Sequence, residues 1–447
     1  MATSPPEKSR PNSVRLGIIG LGNIGRHHAG YVIEGKVPRC ELAAVCSRKT
    51  DLPAEFKSVA VFDDAEKLMR SGLVDAVLLA TPHGQHPREG MAAFEAGLHV
   101  MAEKPIASHK ADAERFIAAW RRSVASAILA DMESGILPGG KATESGTSLA
   151  NQEAVGASGI NPGGRMPPST SGKMPDATRC VFAVMSQFRV EPRYQKMREM
   201  IQSGALGQLV RVSWINTDWF RPEAYYQSSA WRATWRGEGG GVLINQCLHN
   251  LDMLQWLVGM PSRVRGFCQF GRFHDIEVED DVTAYFEWAN GATGTFVSST
   301  GEAPGTNRLE ISGTRGRLLL ENGKLCFTQN ERDAREFSRS AEQAFSKLAG
   351  ATQEIPFENA AQPHAELLRN FVNAILDGEA LLAPGAEGIN SVELANAIVY
   401  SSLLEQTVAL PLDGAAWEAK LSELIAGSRV KKVVRAVTGD VASSFKR

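Results

Sequence analysis

The sequence of 447 residues predicts an α/β protein in which a doubly wound parallel sheet precedes an α+β domain with a large, mostly antiparallel open sheet. The N-terminal part contains four continuous apolar runs, at residues 16–20, 42–46, 74–80 and 98–101. Such runs, separated by helix-length segments, are typical of a parallel sheet covered on both faces. Residues 282–286 and 292–297 instead alternate apolar and polar side chains around Asn290-Gly291, which predicts an antiparallel hairpin.

The length predicts more than one hydrophobic core, because single cores rarely grow beyond about 250–300 residues. We expect a disordered N-terminus at residues 1–13, a dinucleotide-binding domain at 14–187, a substrate and oligomerisation domain at 188–410, and a C-terminal tail at 411–447, whose basic part after Ser428 is expected to be solvated. Residues 131–178 are rich in Gly, Ser and Pro and lack aromatic side chains. This composition predicts a disordered insertion between a helix at 109–123 and the apolar run at 180–185.

The composition is that of an ordinary globular enzyme, with 43% hydrophobic residues and a formal net charge of -2. The interspersed charges provide no basic field for nucleic acid and no polybasic stripe for a membrane surface. Six scattered cysteines form no C-x-x-C pair, and no apolar stretch is long enough for a signal peptide or a membrane span. We therefore expect a cytoplasmic protein with reduced thiols and a small-molecule substrate.

A glycine-rich loop follows the first predicted strand and precedes a helical pattern. Its sequence is Gly20-Leu21-Gly22-Asn23-Ile24-Gly25. Glycine permits the tight turn, the approach of backbone N–H groups to a pyrophosphate, and close packing of helix on strand. The loop predicts a dinucleotide site, and a simple glycine-rich turn is the alternative.

The second predicted strand ends in Ser47-Arg48-Lys49, where a carboxylate usually binds the ribose of NAD. Arg48, together with Lys49, is suited to a 2′-phosphate, so the sequence favours NADP(H). A solvated pair of surface charges is one alternative, and Asp51 on the ribose of NAD(H) is another.

Two further segments carry candidate catalytic residues. Lys104, in Glu103-Lys104-Pro105, ends the fourth strand, where a lysine can stabilise a developing alkoxide. A helix predicted over residues 242–257 after a triple glycine places Asn245, His249 and Asp252 on one face. Histidine titrates near neutrality and suits acid–base catalysis. A surface lysine and a core histidine are the structural alternatives.

The glycine loop, Ala80-Thr81-Pro82-His83, Glu103-Lys104-Pro105 and the glycine-led helix with His249 together resemble the Gfo/Idh/MocA family of sugar and inositol oxidoreductases. The resemblance runs from about residue 14 to 405 outside the insertion. It implies an N-terminal Rossmann domain, and a C-terminal domain whose open sheet forms homodimers or homotetramers.

The resemblance also implies site roles. Lys104 and His249 would contact the reacting oxygen of the substrate. The cofactor would be bound by the glycine loop, by the end of the second strand, by the loop after the third strand, and by the fourth strand's end: Gly20, Gly22, Asn23, Ile24, Gly25, Ser47, Arg48, Thr81, Pro82, His83, His86, Glu103 and Lys104. Many members carry an aspartate where this chain has Asn245, so we expect Asn245 to orient substrate hydroxyls.

Aromatic and arginine side chains of the second domain predict a carbohydrate substrate, because a pyranose offers apolar C–H faces and a rim of hydroxyls. The candidates are Arg189, Trp219, Trp231 and Arg232. Aromatic residues that fill an interdomain core are the alternative. The histidines at 27, 28, 83 and 86 lack the spacing of a zinc site, so we expect no metal.

These observations favour a nicotinamide-dependent oxidoreductase that acts on a secondary alcohol or ketone of a sugar, glycoside or inositol. A nicotinamide-dependent glycoside-cleaving enzyme, which oxidises a ring hydroxyl transiently and eliminates the aglycone, is the alternative. A noncatalytic ligand sensor is a third hypothesis, against which the combination of Lys104 and His249 argues.

Overall fold

The computed structural model describes residues 12–48, 56, 58–133, 180–358, 360, 362–428, 430, 432 and 434–435, with the side chains of 130–133 left undescribed. Almost all of the expected disordered N-terminus and of the expected insertion, and both Lys49 and Asp51, lie outside these residues.

The first sheet has six parallel strands in the order β3-β2-β1-β4-β5-β6. Its elements in chain order are β1 (Val14–Ile19), α1 (Asn23–Ile33), β2 (Cys40–Cys46), β3 (Ala60–Phe62), α2 (Ala65–Met69), β4 (Ala76–Leu79), α3 (His86–Glu95), β5 (His99–Ala102), α4 (Lys110–Glu133) and β6 (Phe182–Val184). The strand order reverses between β1 and β4, which is where open sheets of this kind bind ligands. The predicted doubly wound parallel sheet is confirmed.

The strands of this sheet are apolar throughout because both of their faces are covered. All four residues of β4 are fully buried, and Leu16 and Ile18 of β1 are equally inaccessible. Burial on both faces explains why these strands read as continuous apolar runs in the sequence.

The second sheet has nine strands in the order β14-β13-β12-β11-β7-β10-β9-β8-β15. Its elements in chain order are α5 (Pro192–Gln202), β7 (Leu209–Asn216), α6 (Glu223–Gln227), α7 (Leu248–Val258), β8 (Arg263–Phe270), β9 (Glu279–Glu287), β10 (Thr293–Ser299), β11 (Asn307–Gly313), β12 (Gly316–Glu321), β13 (Lys324–Asn330), α8 (Ala334–Ser340), β14 (Gly350–Ile355), α9 (Pro363–Asp377), α10 (Gly388–Leu404), β15 (Val408–Ala409) and α11 (Gly414–Gly427). Only β10 and β7 pair in parallel, so the predicted mostly antiparallel sheet is confirmed.

Helix α10 packs on β8 at the edge of this sheet. The hydroxyls of Ser401 and Ser402 accept hydrogen bonds of 2.9 and 2.8 Å from the backbone N–H groups of Gly266 and Cys268. The predicted hairpin is confirmed as β9 and β10, in which Glu287 pairs with Thr293.

The predicted helix at 242–257 begins six residues later than expected, at Leu248. The N–H groups of Gly241 and Leu243 donate to the carboxylate of Glu279 at 2.9 and 3.1 Å, and Val242 donates to its backbone oxygen at 3.0 Å. These bonds attach residues 241–243 to β9 in a turn, so Asn245 precedes the helix that carries His249.

Two other boundaries differ from the expectation. Helix α4 extends to Glu133 instead of ending at 123. The C-terminal tail expected at 411–447 contains a packed helix, because α11 buries Trp417 completely and Arg115 of α4 bonds to Glu418 at 2.7 Å. The domain boundary at residues 187 and 188 stays a prediction. Among the described residues, none of the helices combines the length and apolar character that crossing a membrane requires.

Candidate active site

The glycine loop joins β1 to α1, and each glycine has a different geometric role. Gly20 has a φ of +96°, and a Cβ there would lie 2.8 Å from the carbonyl oxygen of Ala80. A Cβ on Gly25 would lie 1.9 Å from the carbonyl oxygen of Gly20, whereas nothing lies within 4 Å of the Cβ position of Gly22. The first and third glycines therefore close the turn, and the second leaves open space in front of the helix.

Helix α1 presents its N-terminus to that open space. Gly22 is its N-cap and supplies no side-chain hydrogen bond, and Asn23 and Ile24 begin the first turn. The partial positive charge and N–H groups of a helix N-terminus favour an anionic ligand. The loop thus has the shape and polarity that a pyrophosphate requires.

The end of β2 lies beside the loop, since the backbone N–H of Gly20 donates to Cys46 at 3.1 Å. Ser47 is half-buried and Arg48 is exposed. The two carboxylates that follow β3 both contact Lys67. Asp64 accepts from its backbone N–H at 2.9 Å, and Asp63 pairs with its ammonium group at 3.0 Å.

The loop after β4 adjoins both domains. His83 is buried, its Nδ1 has no hydrogen-bond partner, and its ring lies 5.6 Å from that of Trp231. His86 places its two ring nitrogens 2.8 Å from the carbonyl oxygens of Thr81 and Pro105. The loop is thereby fixed to the segment that carries Lys104.

Glu103 was predicted to contact the cofactor, but the structure places its carboxylate in a buried pair with His28 at 2.6 Å. Burial acts to raise the pKa of Glu103, and the hydrogen bond and charge of His28 outweigh it and hold that pKa below its ordinary value. The other carboxylate oxygen accepts from the backbone N–H of Lys104 at 3.2 Å. Glu103 therefore fixes the backbone of Lys104 through this hydrogen bond.

Lys104 reaches from the end of β5 to the second domain. Its Nζ donates a hydrogen bond of 3.1 Å to the backbone oxygen of Asn245. Burial lowers the pKa of Lys104 from its ordinary value of 10.5. The ammonium group is thus held at the start of the segment that leads into α7.

His249 lies in the first turn of α7 and is 7% exposed. Its ring stacks on Phe188 with 4.9 Å between centroids, and its Nε2 lies 3.2 Å from Nε2 of Gln187. Burial lowers the pKa of His249 well below 6.5, and the positive charge of Lys104 lowers it further. The imidazole is therefore neutral at neutral pH.

Asn245 belongs to a polar cluster that the sequence did not reveal. Its side-chain amide donates to the carboxylate of Glu238 and, at 3.2 Å, to Oη of Tyr225. Oη of Tyr225 also accepts hydrogen bonds from Gln246 at 3.0 Å and from Arg232. Burial raises the pKa of Glu238.

Arg189 was predicted to bind substrate, but the structure does not allow that contact. The side chain is completely buried, and its guanidinium donates to both oxygens of Asp252 at 2.9 and 2.7 Å and to Glu387. Each guanidinium nitrogen donates to a protein oxygen. Arg189 therefore connects Asp252 of α7 to Glu387, immediately before α10, and does not face a ligand.

The remaining predicted substrate residues lie near one another. The guanidinium of Arg232 stacks on the rings of Trp231 and Tyr225 at 4.8 and 4.3 Å. Arg221 connects Trp219 to the same tyrosine, at 5.6 and 5.2 Å from the two ring centroids. These residues line the same side of the site as Asn245.

Several residues of the site were missed by the sequence analysis. Glu238 and Glu279 are both buried, and burial raises the pKa of Glu279 to about 7. Gln187 and Phe188 lie three and four residues after the end of β6. The one sequence signal for Glu238 was its position immediately before a triple glycine, because a turn formed by these glycines brings the neighbouring residues close to the sheet.

Within the part of the chain that the structure describes, the histidines at 27, 28, 83 and 86 belong to no group of three possible metal ligands. Among the residues that the structure describes, the one group of three possible metal ligands is His109, Asp112 and Glu418. The guanidinium of Arg115 already bonds to both carboxylates of that group.

Comparison with known proteins adds to this geometry. The model of an oxidoreductase family with an NAD-binding Rossmann fold, Gfo/Idh/MocA, matches residues 14–128, and that of the Gfo/Idh/MocA C-terminal domain matches residues 194–319. Levoglucosan dehydrogenase of Pseudarthrobacter phenanthrenivorans is 22% identical over 443 residues, which cover 89% of this chain and 98% of that protein. Myo-inositol 2-dehydrogenase of Thermotoga maritima is 20% identical over 321 residues, covering 69% of this chain and 75% of that protein.

A solved structure shows the same fold. The WlbA dehydrogenase from Bordetella pertussis, in complex with NADH and UDP-GlcNAcA, has a TM-score of 0.62 at 24% identity and covers 90% of this chain and 100% of its own.

Proposed function

Because this chain belongs to the Gfo/Idh/MocA family of oxidoreductases and contains its NAD-binding Rossmann domain, we propose that it transfers a hydride between a nicotinamide and a secondary alcohol or ketone of a sugar, glycoside or inositol. The observation that carries the proposal is the bond from Lys104 to the backbone of Asn245, four residues before His249. It brings a cation and a neutral imidazole from distant parts of the chain to one site.

The cofactor would be held by the glycine loop, by the N-terminus of α1 and by the segments that follow β2 and β4. The open Cβ position of Gly22 and the unpartnered Nδ1 of buried His83 fit such a ligand. When bound, a nicotinamide supplies the carbon that accepts or returns the hydride. We propose a preference for NADP(H), since Arg48 is exposed at the end of β2 while Asp63 and Asp64 are bonded to Lys67.

Lys104 stabilises negative charge on the reacting oxygen of the substrate. Its ammonium is already oriented by the carbonyl of Asn245 and needs little rearrangement when an alkoxide develops. A donor fixed in advance and partly withdrawn from water is worth more than the same donor in solvent.

His249 holds or releases the hydroxyl proton. Its lowered pKa keeps the ring neutral, which is the form that accepts a proton during alcohol oxidation. The side-chain amide of Gln187 lies 3.2 Å from Nε2 and orients the ring. Asn245, whose amide bonds to Glu238 and Tyr225, orients hydroxyls without exchanging a proton.

Trp219, Trp231 and Arg232 would bind the sugar through ring faces and N–H donors. Their mutual stacking with Arg221 and Tyr225 fixes them before a substrate arrives. A preformed rim of this kind lowers the entropy cost of binding.

We also propose that the protein is a homodimer or homotetramer that associates through the open face of the nine-stranded sheet. On that face Phe267 is 53% exposed, and Ile215 and Tyr285 are each 39% exposed. Neighbouring exposed apolar side chains are typical of an interaction surface. A cytoplasmic location stays a prediction.

A screen of sugars, inositols and glycosides for reduction of NADP⁺ or NAD⁺ tests the proposed function. We expect reduced cofactor to accumulate in proportion to the oxidised product. Release of free sugar from a glycoside with no net cofactor reduction would instead support the glycoside-cleaving alternative.

A further inference from the structure

Two arginine side chains flank the candidate site and contact the same tyrosine. The guanidinium carbons of Arg232 and Arg221 lie 4.3 and 5.2 Å from the ring centroid of Tyr225. Oη of that tyrosine accepts from the amide of Asn245, whose backbone oxygen accepts from Lys104. The arginines are therefore connected to the reacting end of the site through two residues.

Neither guanidinium has a carboxylate partner within the part of the chain that the structure describes. Arg221 donates only to the backbone oxygen of Phe220, at 3.0 Å, and Arg232 only to Oη of Tyr225. Nε of Arg232 is buried and has no hydrogen-bond partner. Buried donors of this kind are rare in folded proteins unless a ligand or water satisfies them.

The neighbouring carboxylate does not neutralise these cations. The oxygens of Glu238 accept from the N–H of Ala233 at 2.6 Å and from the amide of Asn245. Burial lowers the pKa of Lys104, and the charges of Arg232 and Arg221 lower it further, against the opposing charges of Glu103 and Glu238. Three cations near one site repel one another, and a bound anion would relieve that repulsion.

We infer that the substrate is an acidic sugar, whose carboxylate or phosphate binds to Arg221 and Arg232 while its reacting carbon lies at Lys104 and His249. The inference rests on the proposed function and adds the substrate class. Guanidinium groups match carboxylate and phosphate oxygens with paired N–H donors, and hydrogen bonds between charged groups are stronger than those between neutral groups. Stacking on Tyr225 and Trp231 keeps these donors oriented.

Calorimetric binding to the full-length protein loaded with reduced cofactor tests this inference without requiring turnover. The probes are D-glucuronate, D-glucose 6-phosphate and D-glucose, so that the two acids distinguish a carboxylate from a phosphate. We expect at least one acid to bind about tenfold or more tightly than D-glucose. Its affinity should also fall with added salt, while that of D-glucose stays constant.

The matched variants are Arg221→Gln and Arg232→Gln, with Arg70→Gln, an exposed arginine at the end of α2, as the control. Arg221→Gln should weaken the preferred acid about tenfold and D-glucose less than about twofold, Arg232→Gln should weaken the acid more than it weakens D-glucose, and the control should change neither. Arg221→Gln keeps the test informative if Arg232→Gln destabilises the fold.

Three results would overturn the inference: D-glucose that binds as tightly as both acids, no binding of either acid at millimolar concentration, or equal weakening of all probes by the two variants. Hydride transfer is measured separately, with the same probes and variants and with oxidised cofactor. An acid that binds through the arginines without turnover would leave the anion site standing and count against the proposed function. Turnover of neutral sugars alone would support the proposed function and count against the anion site.

Discussion

Nζ of Lys104 donates a hydrogen bond of 3.1 Å to the backbone oxygen of Asn245, and this bond joins the end of β5 to the turn that leads into α7. The lysine and the imidazole of His249 are thereby held at one site although 144 residues separate them in sequence.

The pH dependence of alcohol oxidation should reflect both groups. Neutral His249 accepts the proton, and its pKa lies well below 6.5, so kcat/KM should rise with pH only in the acidic range and then level off. Protonated Lys104 stabilises the alkoxide, and its pKa lies below 10.5, so activity should fall again before that pH. A pH profile with saturating cofactor measures both limbs. An acidic limb centred at or above pH 6.5 would contradict the role of a buried, neutral histidine.

Arg189 should matter for stability and little for substrate binding. Arg189→Met leaves Asp252 buried without its partner, so we expect a loss of about 3–5 kcal/mol in the free energy of unfolding. Urea unfolding measures the loss. The control is Arg263→Met, which removes an exposed pair with Glu287 at 3.3 Å and should cost less than about 1 kcal/mol.

The same variants separate packing from recognition. If Arg189→Met folds at low temperature, KM for the substrate should stay within about twofold of the wild type, because the guanidinium is completely buried and its donors are bonded to Asp252, Leu382 and Glu387. A large rise in KM with unchanged stability would restore the substrate role that the sequence suggested.

The proposed cofactor preference depends on Arg48. Arg48→Ala should weaken NADP(H) about tenfold or more, since it removes a charged hydrogen bond to the 2′-phosphate, and should leave NAD(H) nearly unchanged. Fluorescence titration of both reduced cofactors measures this ratio. Tighter binding of NAD(H) by the wild type, or equal losses for both cofactors in the variant, would rule out the phosphate contact.

Association through the open sheet face depends on its exposed apolar side chains. Phe267→Glu places a charge opposite Thr283 on β9, and desolvating that charge in an interface is costly. We expect a lower molar mass in sedimentation than the wild type shows, with unchanged secondary structure. Val61→Glu, an equally exposed apolar position on the first sheet's β3, serves as the control. Identical masses for all three proteins would contradict this surface as the interface.

The sequence predicted the elements that local pattern determines. Because β1 and β4 are buried on both faces, these strands appear in the sequence as continuous apolar runs. The Asn290-Gly291 turn marked the hairpin of β9 and β10. The glycine spacing predicted a loop whose three glycines have the expected geometric roles. These features depend on neighbours within a few residues.

The errors arose where contacts between residues distant in sequence determine the structure. Glu279 bonds to the N–H groups of Gly241 and Leu243 and delays the start of α7, and its position 38 residues from Gly241 leaves no local signal. Arg189 was assigned to the substrate because its partners, Asp252 and Glu387, lie 63 and 198 residues away. Trp417 was the overlooked sign that part of the C-terminal tail forms the packed helix α11, since a tryptophan is seldom left in solvent.

The most direct test of the central proposal is a single-turnover experiment with a substrate deuterated at the reacting carbon, analysed by mass spectrometry of the reduced cofactor. For the wild type we predict one deuterium per reduced nicotinamide. Lys104→Met and His249→Asn should bind cofactor normally but transfer the label about 100-fold or more slowly. Reduced cofactor without the label, or normal transfer rates in both variants, would contradict hydride transfer at the site formed by Lys104 and His249.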